Sequence, residues 1–314
     1  MAQVSGTYSK YDLTGIREDL SNVIYNIDPT ETPVVSMIPR VDAKQTNHEW
    51  QTDGLAAAST SNAQIEGDQF SYSAPTATTR LGNHCQIMWK TVLVTGTARA
   101  VDTAGRADEL DYQVAKMGKE LKRDIEAQVC DNNAKVAGND STAREMAGIP
   151  AYLKTNSSEG SGGADPTGDG TDGRTNGTQR AFTEALVKSV LQLAYTNGGN
   201  PTKLIVGAFN KQKVSEFSGN ATRMDKSEDK KLYAAIDFYY SDFGVLEVIP
   251  DRFSRSRDAL LLDPEYLAIA ELRPMQDVKP AKIADADPHV ILTELTLEVR
   301  NEKAHGIVAD LTTS

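Results

Sequence analysis

Leu110, Val114, Met117, Leu121, Ile125 and Val129 recur at steps of four and three residues, which places them on one stripe of an α-helix. The positions between them are nearly all charged, and Lys116 with Glu120 and Lys122 with Glu126 fall at i,i+4 as surface ion pairs. Gly105 and Gly138 bracket the segment, and at 1.5 Å per residue a helix between them runs roughly 45 Å. A single narrow apolar stripe predicts a strut laid across a sheet. The alternative, a coiled coil, needs a heptad that does not persist here.

Elsewhere the pattern changes period. The tail "VILTELTLEVRNEKAHGIVADL" alternates, with Leu295, Leu297 and Val299 on one face and Glu294, Thr296, Glu298 and Arg300 on the other, and predicts a half-buried antiparallel strand. "FTEALVKSVLQLAYTNGG" predicts an amphipathic helix that Thr183 caps and Gly198 and Gly199 stop. "KLIVGAF" predicts a fully buried strand, "KQKVSEF" a short helix, and "VLEVIPDRF" and "ALLLDPEYLAIAEL" further strands with a turn at Asp263 and Pro264. Near the start, two short helices are expected, around Ile16 to Ile24 and from Pro33 to Ile38, the second with Thr32 as N-cap and Pro33 at its first position. Neither is long enough to stand alone.

From Asn47 to Val101 the texture is β-like. "HEWQTDGL" and "CQIMWKTVLVTGTARAV" are strand-prone, and "AAASTSNAQIEGDQFSYSAPTATTR" between them is small and polar. Together they predict a long hairpin whose tip has little apolar surface of its own. Two strands cannot offset their ordering entropy, so something outside the hairpin is expected to cover it. Trp50, Phe70, Tyr72 and Trp89 are the candidate contact residues for a neighbouring subunit. For the two tryptophans, packing on the chain's own body is an equal alternative.

Composition narrows the function classes. The 314 residues carry 44 acidic and 33 basic side chains, a net charge of −11, which disfavours generic binding to nucleic acid or to an anionic membrane. The densest basic stretch, "RFSRSRD" at 252 to 258, lies between Asp251 and Asp258 and is expected to be a solvated turn. Cys85 and Cys130 are too few for a disulfide framework. Asn139, Asn156, Asn176 and Asn220 begin N-x-S/T triplets that are read as chance matches in polar loops. No apolar run reaches transmembrane length.

Chemistry is sparse. "GDGTDG" at 168 to 173 matches the dinucleotide fingerprint G-x-G-x-x-G, but no strand precedes it and no helix follows at once, and Asp169 and Asp172 would face the phosphates. Asp165, Asp169 and Asp172 lack calcium-loop spacing, so the stretch is expected to be a flexible surface excursion. His48, His84, His289 and His305 are scattered; His84 beside Cys85 is poor metal-ligand geometry without a second pair. Asp53 and Glu66 are read as turn or salt-bridge residues, and no carboxylate stands isolated in an apolar segment. No catalytic, cofactor-binding or metal site is expected, and the chain is not expected to be an enzyme.

Seven segments carry a resemblance: "SNVIYNIDPTETPVVSMIPR", "HEWQTDGL", "IEGD", "RLGNHCQI", "VTGTARAV", "REMAGIPAYL" and "LTLEVRNEKAHGIVADL". From about residue 15 to the C-terminus the chain resembles the major capsid proteins of tailed bacteriophages, and within them the SU-ten-like major head protein family of the Hong Kong 97 fold. The resemblance implies an α+β chain divided into an N-terminal arm (1–45), an extended E-loop hairpin region (46–104), a peripheral domain with a spine helix (105–138 and 285–314) and an α/β axial domain (139–284). It implies a homo-oligomer of pentamers and hexamers, made in the host bacterial cytoplasm and located in the virion as an icosahedral shell. That shell encloses double-stranded DNA without sequence-specific binding and has portal, scaffolding and decoration proteins as partners, with no membrane and no cofactor. An encapsulin-like nanocompartment shell is the alternative, and a nucleotide-binding enzyme a distant one. Some shells of this fold join subunits through a lysine near the E-loop; no lysine occurs between Lys44 and Lys90, so such a cross-link is not expected. No long charged scaffolding segment precedes the arm, so a scaffold is expected to be a separate chain.

Overall fold

The computed structural model describes residues 30–101, 108–217, 238–282 and 284–314; the helix expected around 16 to 24 lies outside them. In chain order the elements are α1 (Pro33–Met37), β1 (Arg40–Asp42), β2 (Asn47–Thr52), β3 (Thr79–His84), β4 (Gln86–Thr95), α2 (Gly96–Ala100), α3 (Glu109–Cys130), β5 (Ser157–Ser158), α4 (Glu184–Thr196), β6 (Lys203–Val206), α5 (Ala208–Ser215), β7 (Phe238–Ser241), β8 (Gly244–Pro250), β9 (Ala259–Leu262), β10 (Leu267–Val278), β11 (Ala286–Val299) and β12 (Gly306–Val308). A four-stranded sheet runs β1-β10-β11-β4, a six-stranded mixed sheet runs β5-β12-β9-β6-β8-β7, and β2 pairs with β3 alone. In the first sheet β10 and β4 are antiparallel to β11, and β1 is parallel to β10.

Helix α3 lies across the four-stranded sheet as its stripe predicts. Leu110, Met117, Leu121, Ile125 and Val129 are buried, and all but Leu110 belong to one core with Met88, Ile291, Leu295 and Leu297 from β4 and β11. Asp108 caps the helix by accepting the Leu110 N–H at 2.8 Å. The helix is 22 residues long, about 33 Å, and stops eight residues short of Gly138. The cause is "DNN" at 131 to 133: the Asp131 carboxylate takes the Asn132 N–H, while the amides of Asn132 and Asn133 donate to Arg174 O and Met146 O, so these side chains compete with the helical ladder.

The continuously apolar strands of the six-stranded sheet serve two cores. Leu204, Val206, Ala259, Leu261 and Val308 face α4, whose Val187, Val190 and Leu191 join them. The alternate residues Ile205, Leu260, Leu262 and Ile307 face the core under α3. Because successive side chains point to opposite faces, these short strands weld the two layers together. The sheets also cross the expected domain boundaries: β10, within 139–284, pairs with β11, and β12, within 285–314, joins the second sheet.

Several sequence expectations change. The partner of "HEWQT" is "TRLGNH", from Asn47 opposite His84 to Thr52 opposite Thr79, whereas β4 pairs with β11. "GTARA" forms α2 instead of extending the strand, with the Thr95 hydroxyl accepting the Ala98 N–H at 3.3 Å. The tail strand is buried on both faces from Thr293 to Val299, not half-buried, because the base of the β2–β3 hairpin covers the face that carries its glutamates. Asp251 and Asp258 are buried, Arg255 pairs with Asp258 at 2.8 Å and Arg257 with Asp310 at 2.6 Å, so "RFSRSRD" is wired into the body and is not a solvated turn. Asn156 is buried and donates to Lys303 O and His305 O, which removes it from the polar loops.

"GDGTDG" is likewise packed. Lys135 donates from its backbone N–H to Gly170 O and from Nζ to Asp169 O. A Cβ on Gly170, whose φ is +80°, would lie 2.6 Å from the Tyr152 hydroxyl, so only glycine fits there. Arg174 is buried and donates to Leu153 O at 2.8 Å and to Asp165 at 2.6 Å. At the base, Asp310 accepts the N–H groups of Gly160 and Gly177.

Two outcomes follow for stability. Leu121→Ala should lower unfolding free energy by about 2–5 kcal/mol, and an unchanged denaturation midpoint would mean that the stripe is not packed. Deleting Ala164 to Asn176 should lower the thermal midpoint, since Asn132, Lys135 and Leu153 each lose a partner at about 1–3 kcal/mol per group left unpaired; a midpoint equal to that of the parent chain would restore the flexible-excursion reading.

Candidate assembly surface

The β2–β3 hairpin is seated at its base and bare at its tip. The seat is Asn83, fully buried on β3. Its Nδ2 donates to Ala147 O at 3.1 Å and Leu297 O at 2.9 Å, and its Oδ1 accepts the N–H of Ala147 at 2.9 Å and of His84 at 3.0 Å. One amide thus satisfies groups from the segment after α3 and from β11. Gly82 O beside it accepts from Lys135 Nζ at 2.7 Å and the Tyr152 hydroxyl at 3.2 Å. Burial raises the Tyr152 hydroxyl's pKa, which keeps it a donor. Across the hairpin, His48 reaches Glu298 on β11 at 3.3 Å, and this contact, with Arg300, holds the Glu298 carboxyl below the usual range.

Beyond Thr52 and before Thr79 the chain makes no ladder. A turn at 65 to 68 is closed by the Asp68 N–H on Ile65 O, with Gly67 at φ +82°. Leu55, Ile65, Phe70 and Tyr72 are 102%, 79%, 82% and 92% exposed. The outward face of β4 is also bare: Trp89 is 61% and Leu93 64% exposed, with Ile87 in the same row. Large apolar groups exposed in this number mark interaction surfaces.

Of the sequence candidates, Phe70, Tyr72 and Trp89 therefore lie open, while Trp50 does not. Trp50 is buried, with its ring 5.9 Å from that of Tyr152 and 6.1 Å from that of His48. The physical reason is register: Trp50 faces Leu81 across the hairpin on the side that meets the body. Ile87 and Leu93 went unnoticed in the sequence, although their period-2 spacing with Trp89 was the available signal.

A buried acidic trio also escaped sequence reasoning. Glu126 is fully buried and makes no pair with Lys122; its two carboxylate oxygens accept the N–H groups of Val34 at 2.7 Å and Val35 at 2.8 Å. Asp251 and Cys130 stand beside it, with ligand atoms of all three within 4.8 Å. Asp251 accepts the Phe253 N–H and the Cys130 thiol, so the trio is a hydrogen-bonded cluster whose acceptors are already engaged. The signal available was at α1, where Thr32 makes no side-chain cap and the first N–H groups need an acceptor from elsewhere. Cys85 is buried, and desolvation pushes its thiol up to about 11, which makes it inert. His84 and Cys85 belong to no group of three such ligands among the described residues.

A family model described as SU10 major capsid protein matches residues 4–312. The chain belongs to that family. It is a major capsid protein. The major capsid protein of Escherichia phage Phieco32 is 39% identical over 119 residues, 38% of this chain and 34% of the relative. The match thus spans about a third of that curated relative's length. Among solved structures, the cyanophage A-1(L) capsid is similar with a TM-score of 0.64 at 15% identity over 98% of this chain and 99% of that one. The capsid of a native GTA particle is similar with a TM-score of 0.62 at 12% identity, covering 95% and 96%. At such identity these likenesses report the fold, an α+β Hong Kong 97-like arrangement of mixed sheets and helices. No helix among the described residues is long and apolar enough to cross a membrane.

For this capsid protein, the hairpin seat has a direct test. Asn83→Ala leaves the Ala147 N–H and the Leu297 carbonyl buried without their partner, at about 1–3 kcal/mol each. The thermal midpoint should fall, and cleavage near 47–52 and 79–84 should accelerate in the unassembled chain; unaltered cleavage would show that the amide does not hold the hairpin.

Proposed function

We propose that the chain builds an icosahedral shell of pentamers and hexamers around phage double-stranded DNA, with the 53–78 loop of each copy laid on its neighbour. The observation that carries this reading is the loop itself: four large apolar side chains stand almost wholly exposed on a segment with no ladder of its own. Folding gains little from ordering such a loop, whereas burying Phe70 and Tyr72 against another copy recovers area at about 25 cal/mol per Å². The apolar row of Ile87, Trp89 and Leu93 on β4 is a matching surface.

Within that reading, residues up to 45 form the arm, 46–104 the E-loop region, 105–138 and 285–314 the peripheral domain with α3 as its spine, and 139–284 the axial domain, with the strand exchange of β10 and β12 joining the last two. The net charge of −11 suits a shell that encloses nucleic acid without gripping it. With no lysine between Lys44 and Lys90, the loop contacts stay non-covalent. Portal, scaffolding and decoration proteins are separate partners.

The test is electron microscopy of the purified protein with limited proteolysis. Uniform spherical particles in which residues 53–78 resist a protease that cuts them in free subunits are the expected result. Phe70→Ala with Tyr72→Ala should leave the subunit folded and reduce particle yield at least tenfold. Equal cleavage in both states, or full yield from the double variant, would remove the intersubunit role of the loop.

A further inference from the structure

We infer that Glu126 is a proton-dependent latch: its side chain ties the short helix α1, and with it the entry of the chain into the body, to helix α3, and seating of α1 is coupled to proton uptake by the buried trio of Glu126, Cys130 and Asp251. This inference is independent of how the loop at 53–78 is used.

The geometry carries it. Helix α1 has five residues, no side-chain cap and no acidic residue in its first turn, so it depends on an acceptor from elsewhere. The acceptor is a single carboxylate, bonded to two successive N–H groups at 2.7 and 2.8 Å. Val34, Val35 and Ile38 then pack into the α3 core, so seating α1 is the step that takes Glu126 out of water. No cation enters with it. Helix α1 brings no charged side chain: its N–H groups and Val34 and Val35 meet Glu126, and its one polar side chain, Ser36, is exposed. From α3 come Cys130 and, at the helix end, Asp131; from the turn after β8 comes Asp251. No cation acts on the Glu126 carboxyl. Arg123 sits over the Phe253 ring at 5.3 Å, Arg255 pairs with Asp258 and Asp131, and Lys122 lines the open groove beside α1 with Thr32, Val35 and Ser36.

Desolvation first, and Asp251 last, raise the Glu126 pKa to about 7 from 4.5, although the two N–H bonds pull the other way. With α1 unseated the carboxyl regains water and its ordinary value. The seated form therefore binds more protons between those two values, and seating strengthens as pH falls through 7 and weakens as the carboxyl ionises above it. For one group shifted by this amount, seating is about tenfold more favourable at pH 6 than at pH 8.

The experiment is amide hydrogen exchange on the full chain at pH 6 and pH 8, corrected for the intrinsic pH dependence of exchange, with the opening of the Val34 and Val35 amides as readout. The expected result is about tenfold more opening at pH 8 in the parent chain. Glu126→Gln, which keeps the volume and one acceptor but cannot ionise, should open to the same extent at both pH values. Asp251→Asn, which leaves Glu126 in place, should move the transition to lower pH. Opening that is independent of pH in the parent, or a pH response that survives in Glu126→Gln, overturns the latch. If Glu126→Gln does not fold, Asp251→Asn decides alone: an unmoved transition refutes the coupling of the trio.

Discussion

Strand β11 is enclosed on both faces over its C-terminal half, and the rest of the molecule is arranged around that constraint. Glu294 and Glu298 lie on the enclosed strand and cannot keep their charge without partners. Glu294 is met by Arg144 at 2.6 Å and Arg273 at 2.7 Å, Glu298 by His48 and Arg300, each at 3.3 Å. Those partners come from the segment after α3, from β10, from the hairpin and from the tail. Three of these parts, the segment after α3, β10 and the hairpin, are thus drawn to β11 from elsewhere in the chain, while Arg300 follows the strand directly.

The hairpin is the clearest product of this arrangement. Its base is fixed by His48 and by the Asn83 amide, which reaches Leu297 O on the same strand, and Trp50 closes the joint against Tyr152. A base held this firmly can project a tip that has no fold of its own. Rigidity at one end and bare apolar groups at the other are what a subunit needs if its neighbours are to complete it.

The buried glutamates divide into two kinds. Glu294 and Glu298 are compensated by cationic or imidazole groups and hold tertiary structure together. Glu126 is offered only backbone dipoles while Asp251 stands beside it. In the first environment, His48 and Arg300 hold the Glu298 carboxyl below the usual carboxylate range. In the second, burial raises the Glu126 carboxyl to about 7, which ties the seating of α1 to pH.

Local patterns were legible without the structure wherever one face decided the outcome. The α3 stripe, the α4 helix, Pro33 at the start of α1 and the apolar strands β6 and β9 follow from period and punctuation, because burial of a stripe or of a whole strand is written in the residues themselves. The seven-segment family resemblance was legible too, and with it the capsid class. Pairing and burial of polar groups were not. Nothing in "TRLGNH" says that it, and not "QIMWKTVLVT", faces "HEWQT"; the choice is made by Asn83, whose partners lie 64 and 214 residues away. The alternation of "TELTLEV" predicts a wet face, and only the hairpin base with Arg144, Arg273 and Arg300 makes it dry. "GDGTDG" reads as a free loop until Lys135, Tyr152 and Arg174 are placed around it, and Glu126 reads as a surface charge until α1 arrives with unpaired N–H groups. In each case the sequence states what a residue can bond, and the tertiary structure decides whether water or another part of the chain supplies the partner.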